Sequence, residues 1–416
     1  LPTWDGSNNP TKPLTEKSGY PQLQKTQQNT IMKITKFIML GMAALSLASC
    51  SDNDDPTPND TLEAKEQMLQ AATVDYVEHT VHPTYAAMAD AAIRMRDLCH
   101  TMQNKHAAGT LTSADIKAAG DAWKESRKNW ELSEAFLFGP AANHNIDPHI
   151  DSWPLDKASM DNLLVQIRNG NPWSLENNGG YGLIGFHSVE YMLFELSADG
   201  NTSMVHSTNY TPEELEYLVA VADDLCAQCV CLEACWAGTD NISDGKQGVL
   251  EDADLDYGEN YGWEMMNAGK AGSRYKTYQE AAEEIIQGCI DIADEVGNTK
   301  IGRPHIGASA ADKNYIESPY SLNSIEDFAD NIRSIRNAYL GTNQGDASVS
   351  DYIKSISPET DAAVRNAISN AITAIEAVPE PFEKNATGAL AATAMEAAGS
   401  TLVDALEDAN SVLTRH

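Results

Sequence analysis

The segment Gly185-Phe186-His187-Ser188-Val189-Glu190 puts an imidazole and a carboxylate three residues apart, just after a glycine- and asparagine-rich stretch. If this segment is helical, His187 and Glu190 share one face, because side chains at i and i+3 are neighbours. Together they can offer two ligands to a cation such as iron or zinc. Two ligands do not complete a site, so the remaining donors must come from elsewhere in the chain. The plainer alternative is a hydrogen-bonded or capping pair.

A second group, Cys226-x2-Cys229-x-Cys231-x3-Cys235, has the look of a metal motif. It falls inside a helical pattern marked by Leu215, Leu218, Val219, Ala222 and Leu225. At 100° per residue, Cys226 and Cys229 point one way while Cys231 and Cys235 point roughly opposite. One rigid helix cannot bring all four to a single ion, and small buried hydrophobes are the expectation. Disulfides remain open, with pairings that spacing does not determine. The acidic run Asp252, Asp254, Asp256 lacks the glycine of a calcium loop, and a frame from Asp240 places Ile242 at a ligand position. No His-Glu-x-x-His, His-x-x-Glu-His or Gly-x-Ser-x-Gly element occurs, which weakens a hydrolase reading.

The elements that must position these groups are helices. Helical segments are expected from about 62 to 107 with a break at His82-Pro83, from Thr112 or Ser113 to Phe138, from 183 to 195, and from Thr211 to Trp236. Thr211-Pro212-Glu213-Glu214 carries an N-cap residue, Pro at N1 and Glu at N3. Further helices are expected near 273–296, 324–340, 348–356, 358–377 and 385–413, with long loops at 139–157 and 237–272. This pattern predicts an all-α fold of two helical bundles packed together, an N-terminal domain over 62–204 carrying the His-x-x-Glu pair and a C-terminal domain over 205–416.

Several segments together resemble the imelysin family: Trp130-Glu131-Leu132-Ser133-Glu134-Ala135-Phe136-Leu137-Phe138-Gly139-Pro140, Ser152-Trp153-Pro154-Leu155-Asp156, the Gly-x-His-x-x-Glu itself, and Ser318-Pro319-Tyr320-Ser321 leading into Asn331 to Tyr339. The resemblance spans roughly 62–416. It implies an all-α protein of two bundles, related by an ancient duplication, with a functional site near their interface. It also implies a link to iron, since the family includes iron-regulated envelope proteins, although it was first named as a peptidase. Carried across, the resemblance makes His187, Glu190 and Glu134 candidate metal ligands. Trp153, Asp156, Tyr320 and Arg333 become candidates for lining the site. For the last four the alternatives are core packing, a helix cap at Asp156 and a helix-bridging role for Arg333.

The leading segment bears on location. Residues 1–31 are polar, without helical periodicity, and read as an upstream segment outside the fold. From Met32, two lysines precede the 12-residue apolar run 37–48, which ends in Leu47-Ala48-Ser49-Cys50. That run is shorter than a bilayer span and has a signal-peptide layout. Residues 32–49 therefore read as a lipoprotein signal, with Cys50 as the lipidated residue and 50–61 as a flexible acidic tether. The expected location is the cell envelope, anchored at the outer membrane on its periplasmic or exposed face.

The chain carries a formal charge of −33. Five lysines and two acids up to Ser49 contribute +3, so the remainder stands near −36. Such a surface repels nucleic acid, whose binding rests on Lys and Arg contacts to phosphate, and attracts cations. The reading is thus an envelope lipoprotein that binds iron, free or chelated, for uptake, with zinc the lesser candidate and an envelope transport component as partner. A metallopeptidase of the same fold and a lipoprotein that binds a peptide or protein are the competing readings.

Overall fold

A computed structural model describes residues 58–178 and 180–415; Cys50, the apolar leader and most of the tether lie outside them. The described chain is almost wholly helical. Its only strands among the described residues are Phe194–Leu196 and Ser203–Val205, a small antiparallel hairpin whose first strand replaces the end of the helix expected to reach 195 and whose second lies in the 197–210 connection. No helix among the described residues is long and apolar enough to cross a membrane.

The described residues form one compact unit. Within it, His82–Ala107 packs along both Ser113–Glu131 and Pro212–Ala237, and Gly185–Leu193 closes this first bundle. A second bundle joins Tyr278–Asp294, Ser324–Leu340, Pro358–Glu376 and Val403–Arg415. The first described helix, Pro58–Asp75, packs on the second bundle, against Tyr278–Asp294 and Val349–Ile356. A boundary at 205 therefore does not separate the bundles. Pro212–Ala237 buries residues around much of its circumference, from Leu215 and Tyr217 to Cys235 and Trp236. A helix apolar on nearly every side needs neighbours on several sides, and the first bundle supplies them.

Local chemistry accounts for the starts and stops. Thr211 Oγ1 accepts from the Glu214 amide while the Thr211 amide donates to Glu214 Oε2 at 2.7 Å, closing the capping box expected there. At the start of Ser113–Glu131 the Thr112 amide and hydroxyl both donate to Asp115 Oδ2, at 3.0 and 2.7 Å. The Thr211→Ala substitution should cost about 1 kcal/mol of stability in urea unfolding; an unchanged midpoint would mean that packing alone holds this helix start. The break expected at His82-Pro83 is instead a π-helical turn, Tyr76–Val81, that leads straight into the next helix with Pro83 in its first turn. The helical backbone continues through this turn, so Pro83 withholds one N–H from the ladder, and the His79 carbonyl four residues earlier accepts instead from the Thr342 hydroxyl at 2.7 Å.

The 237–272 segment is not the plain loop expected. It contains a short 3₁₀ turn at Thr239–Asn241 and helices at Asp244–Ala253 and Tyr261–Met266, capped by Ser243 and Asn260. Asp244 and Gly245 are thus helical, which removes them from any calcium loop. Likewise, 139–157 holds the short helices Pro140–Asn143 and Ile146–Ile150, and the helix begun at Ser113 ends at Glu131 before a 3₁₀ turn at Glu134–Phe136.

The two bundles meet where Ser324–Leu340 lies against Ser113–Glu131 and the Glu134–Phe136 turn. The Ala135 amide donates to Ser334 Oγ across this seam at 3.0 Å. At Gly288 a Cβ would stand 2.2 Å from the Ala135 carbonyl oxygen, so glycine there lets the turn seat on Tyr278–Asp294.

Candidate metal centre

The seam holds a dense set of buried ionisable side chains drawn from both bundles. Arg127 and Glu131 share a face of Ser113–Glu131, four residues apart. The guanidinium, fully buried at 0% exposure, reaches four carboxylates: Glu131, Asp151, Glu317 (2.7 Å) and Asp327 (3.2 Å). Lys300, in the π-helical turn Glu295–Ile301, adds a second buried cation. Its ammonium lies 3.1 Å from Glu317, 3.5 Å from Glu134 and 3.7 Å from Glu131. Asn331 donates to Glu131, and Ser318 to Asp327.

His187 enters from the first turn of Gly185–Leu193. That helix can start here because Gly185 has φ +76° and a Cβ would stand 2.3 Å from the Ile150 carbonyl oxygen. The close approach sets His187 beside Asp151, at the end of Ile146–Ile150. His187 Nδ1 is 3.2 Å from Glu190 Oε2, and Nε2 lies 3.1 Å from Asp151 Oδ1, off the line of a hydrogen bond. Asp151 Oδ2 accepts from the Trp130 indole at 2.7 Å. Glu190 Oε1 is saturated by the amides of Tyr320 (3.0 Å) and Ser321 (2.8 Å) and by the Ser321 hydroxyl (2.7 Å).

These distances sort the expected residues. His187 and Glu190 do meet, but Glu190 holds the ring through Nδ1 and its other oxygen is fully occupied. Its Oε2 faces the His187 ring and its Oε1 takes three hydrogen bonds, a disposition that orients the imidazole. Glu134 belongs to the cluster through Lys300. Trp153 stands between two cavities of about 220 Å³ each. One is lined by Glu134, Asp147, Asp151, Glu295 and Lys300 among others, and the second by His187, Ile316 and Tyr320 among others. Tyr320 lines the second cavity and also clamps Glu190 through its backbone.

Asp156 is not at the site. It is exposed and caps Lys157–Arg168 by accepting from the Ser159 amide, so a local role uses up its side chain. Arg333 is absent from it too: it bridges Asp330, Glu326 and Glu376 on another face of the second bundle. The residues missed are Arg127, Asp151, Lys300, Glu317 and Asp327. The Arg127/Glu131 spacing was a usable signal for the first. Asp151 stands directly before the Ser152–Asp156 segment already singled out.

Carboxylates outnumber cations here in a dry environment, and the proton affinities follow. Burial, reinforced by Asp151, pushes the Asp147 carboxyl up to about 7. Burial likewise lifts Asp327 to about 7 despite Arg127, and carries Glu131 and Glu134 well above the usual carboxylate range. Burial also works to raise Asp151, but Arg127 and His187 outweigh it and hold that group below the usual range. For His187, burial disfavours the imidazolium, yet its contacts with Asp151 and Glu190 prevail and lift it to about 9.

A stability trend follows. A histidine raised from 6.5 to about 9 stabilises the fold fully below pH 6.5, and the contribution disappears as pH climbs through 9. Asp147 and Asp327, raised from 3.8 to about 7, act in the same direction between those limits. Metal-free protein should therefore lose stability from pH 6 to pH 9, by about 3 kcal/mol for His187 alone. Urea midpoints at pH 6, 7.5 and 9 would show it, and His187→Gln should flatten the slope. A midpoint that rises with pH would contradict it.

Two overlapping sets of ligand atoms lie within 4.8 Å of one another: Asp151, His187 and Glu317, and Glu131, Glu134 and Asp151. All five residues are buried, and Glu317 Oε2 accepts no hydrogen bond. One imidazole nitrogen amid several carboxylate oxygens is a donor set that suits iron.

Residues 81–413 match the family model described as imelysin, peptidase M75. Iron-regulated protein A of Synechococcus elongatus is 27% identical over 338 residues, covering 80% of this chain and 83% of the relative. A crystal structure described as an iron-regulated protein A precursor from Parabacteroides distasonis aligns at 27% identity with a TM-score of 0.69, over 87% of this chain and 97% of that one. An imelysin-like protein from Psychrobacter arcticum shares the fold at 14% identity, with a TM-score of 0.52, over 83% and 93% of the two chains.

Proposed function

The chain belongs to the imelysin family, and from that premise we propose that it binds a single iron ion at the seam between its bundles, as an envelope lipoprotein serving iron uptake. The observation that carries the proposal is the convergence of His187 Nε2 with the carboxylates of Asp151 and Glu317, all buried and within 4.8 Å. Glu190 would fix the ring, in the way a carboxylate behind a metal-bound histidine does. Bound iron would supply the positive charge that the excess carboxylates now obtain from protons. The relation to iron-regulated protein A supports an iron-linked role.

Size favours an ion over a polypeptide. Each adjoining cavity holds about 220 Å³, below the roughly 300–1,000 Å³ of ordinary small-molecule sites. That leaves room for an ion with a few waters and not for an extended peptide, so the binding reading is preferred to the peptidase one. Lipidation at Cys50 and anchoring at the outer membrane complete the proposal, resting on the leader sequence.

Calorimetric titration of the purified protein with Fe(II), without oxygen, tests it, with Fe(III)-citrate and zinc as comparisons. One ion per chain is expected, with proton release that depends on pH. Folded protein that takes up no iron and releases no protons would overturn the reading.

A further inference from the structure

The cysteine tetrad divides as its helical spacing requires. Cys229 faces Ser126 inside the first bundle, and Cys226 lies near Arg96. Cys235 turns the other way, toward Cys231 one helical turn back and toward Glu259. There it meets groups brought by two other segments: His144, which ends the short helix Pro140–Asn143, and Glu259, just before Tyr261–Met266. His144 Nε2, Cys235 Sγ and Glu259 Oε2 lie within 4.8 Å of one another.

The two non-sulfur donor atoms lack hydrogen-bond partners. His144 Nε2 and Glu259 Oε2 are 3.3 Å apart and buried, yet neither makes a hydrogen bond. The imidazole is held flat by the Tyr257 ring, stacked at 3.7 Å and 7°. Tyr257 and Glu259 lie on one loop, so the segment that orients the histidine also delivers the carboxylate. By contrast, the carboxylates near His79 are already used: Asp75 accepts from the Ala347 amide and Asp346 from the Asn343 amide.

We propose that His144, Cys235 and Glu259, with Cys231 as fourth donor, bind one zinc-class divalent ion that ties the 254–260 loop to the first bundle. Nitrogen, sulfur and oxygen donors in this combination suit zinc. Tetrahedral bonds of about 2.0–2.3 Å place ligand atoms roughly 3.3–3.8 Å apart, a small contraction for the atoms of His144, Cys235 and Glu259, which lie within 4.8 Å of one another; Cys231 would join them from one turn back on the helix of Cys235. The side chains of His144 and Glu259 are about a fifth to a quarter exposed (20% and 24%), which leaves a path for the ion. On binding, each coordinating thiol gives its proton to solvent as its sulfur–metal bond forms, and the ion's charge offsets the buried thiolates. This centre is separate from the carboxylate cluster at the seam, which contains no sulfur donor.

Cobalt(II) is the probe that separates them. Added to the full chain, purified under reducing conditions, cobalt should give a sulfur-to-metal charge-transfer band and the intense visible bands of tetrahedral cobalt, both displaced by one equivalent of zinc. Cys235→Ser should diminish the charge-transfer band and Cys231→Ser/Cys235→Ser should abolish it, whereas Cys226→Ser, on the opposite face, should keep it whole. Should Cys235→Ser fail to fold, His144→Ala serves instead. It should weaken zinc binding at least about tenfold in competition with a chromophoric chelator, with an unchanged circular dichroism spectrum. Cobalt binding without a thiolate band, a band that persists in Cys231→Ser/Cys235→Ser, or a Cys231–Cys235 disulfide in protein taken from the envelope would each overturn the proposal.

Discussion

Replacing Arg127 with Leu is expected to destabilise the protein by about 3–5 kcal/mol at pH 8. The guanidinium is the one group in contact with Glu131, Asp151, Glu317 and Asp327 together. Leucine fills much of the space but leaves these carboxylates with Lys300 and His187 as their remaining cations. Burying a charge without a partner costs far more than a surface ion pair contributes. Protonation is the available remedy, so the loss should shrink as pH is lowered. Urea unfolding of Arg127→Leu beside the parent at pH 5 and pH 8 would measure both effects. A loss below about 1 kcal/mol, equal at the two pH values, would show that Arg127 does not neutralise the cluster.

The second large effect is on iron affinity. His187→Ala removes the imidazole that joins Asp151 and Glu317 and should eliminate specific binding. Glu190→Gln keeps the size and most of the hydrogen bonds to Tyr320 and Ser321, yet removes the anion behind Nδ1. Orienting carboxylates of this kind are worth about 10–100-fold in metal affinity, so Glu190→Gln should fall between the parent and His187→Ala. The parent's affinity should also rise with pH up to about 9, where His187 has released the proton that competes with the ion. Calorimetry at pH 6, 7 and 8 on the three proteins would separate the contributions. Equal affinity in parent and His187→Ala would remove the imidazole from the site.

What could be read from the sequence was local. The Thr211 capping box and the i, i+3 relation of His187 and Glu190 each depend on neighbours within a turn, and both formed. The division of the four cysteines between two helix faces followed from helical periodicity alone. Contacts between distant segments were beyond that kind of reading. Arg127 lies 190 positions from Glu317 and 200 from Asp327, and no short pattern links them. Asp156 and Arg333 went wrong for the same reason: their segments fit the resemblance, but each side chain found a nearer partner. Periodicity also does not say which bundle a helix joins. That is why Pro212–Ala237 was assigned to the second domain although it packs in the first. The acidic 237–272 stretch hid its short helices because they bury few residues, such as Leu250 and Met265.

Anomalous scattering at the iron edge, from crystals grown with Fe(II) in the absence of oxygen, tests the central claim most directly. One peak is predicted within bonding distance of His187 Nε2, with Asp151 and Glu317 as its carboxylate ligands and Glu190 still on Nδ1. Iron density confined to other acidic groups, with His187 still between Asp151 and Glu190, would contradict it.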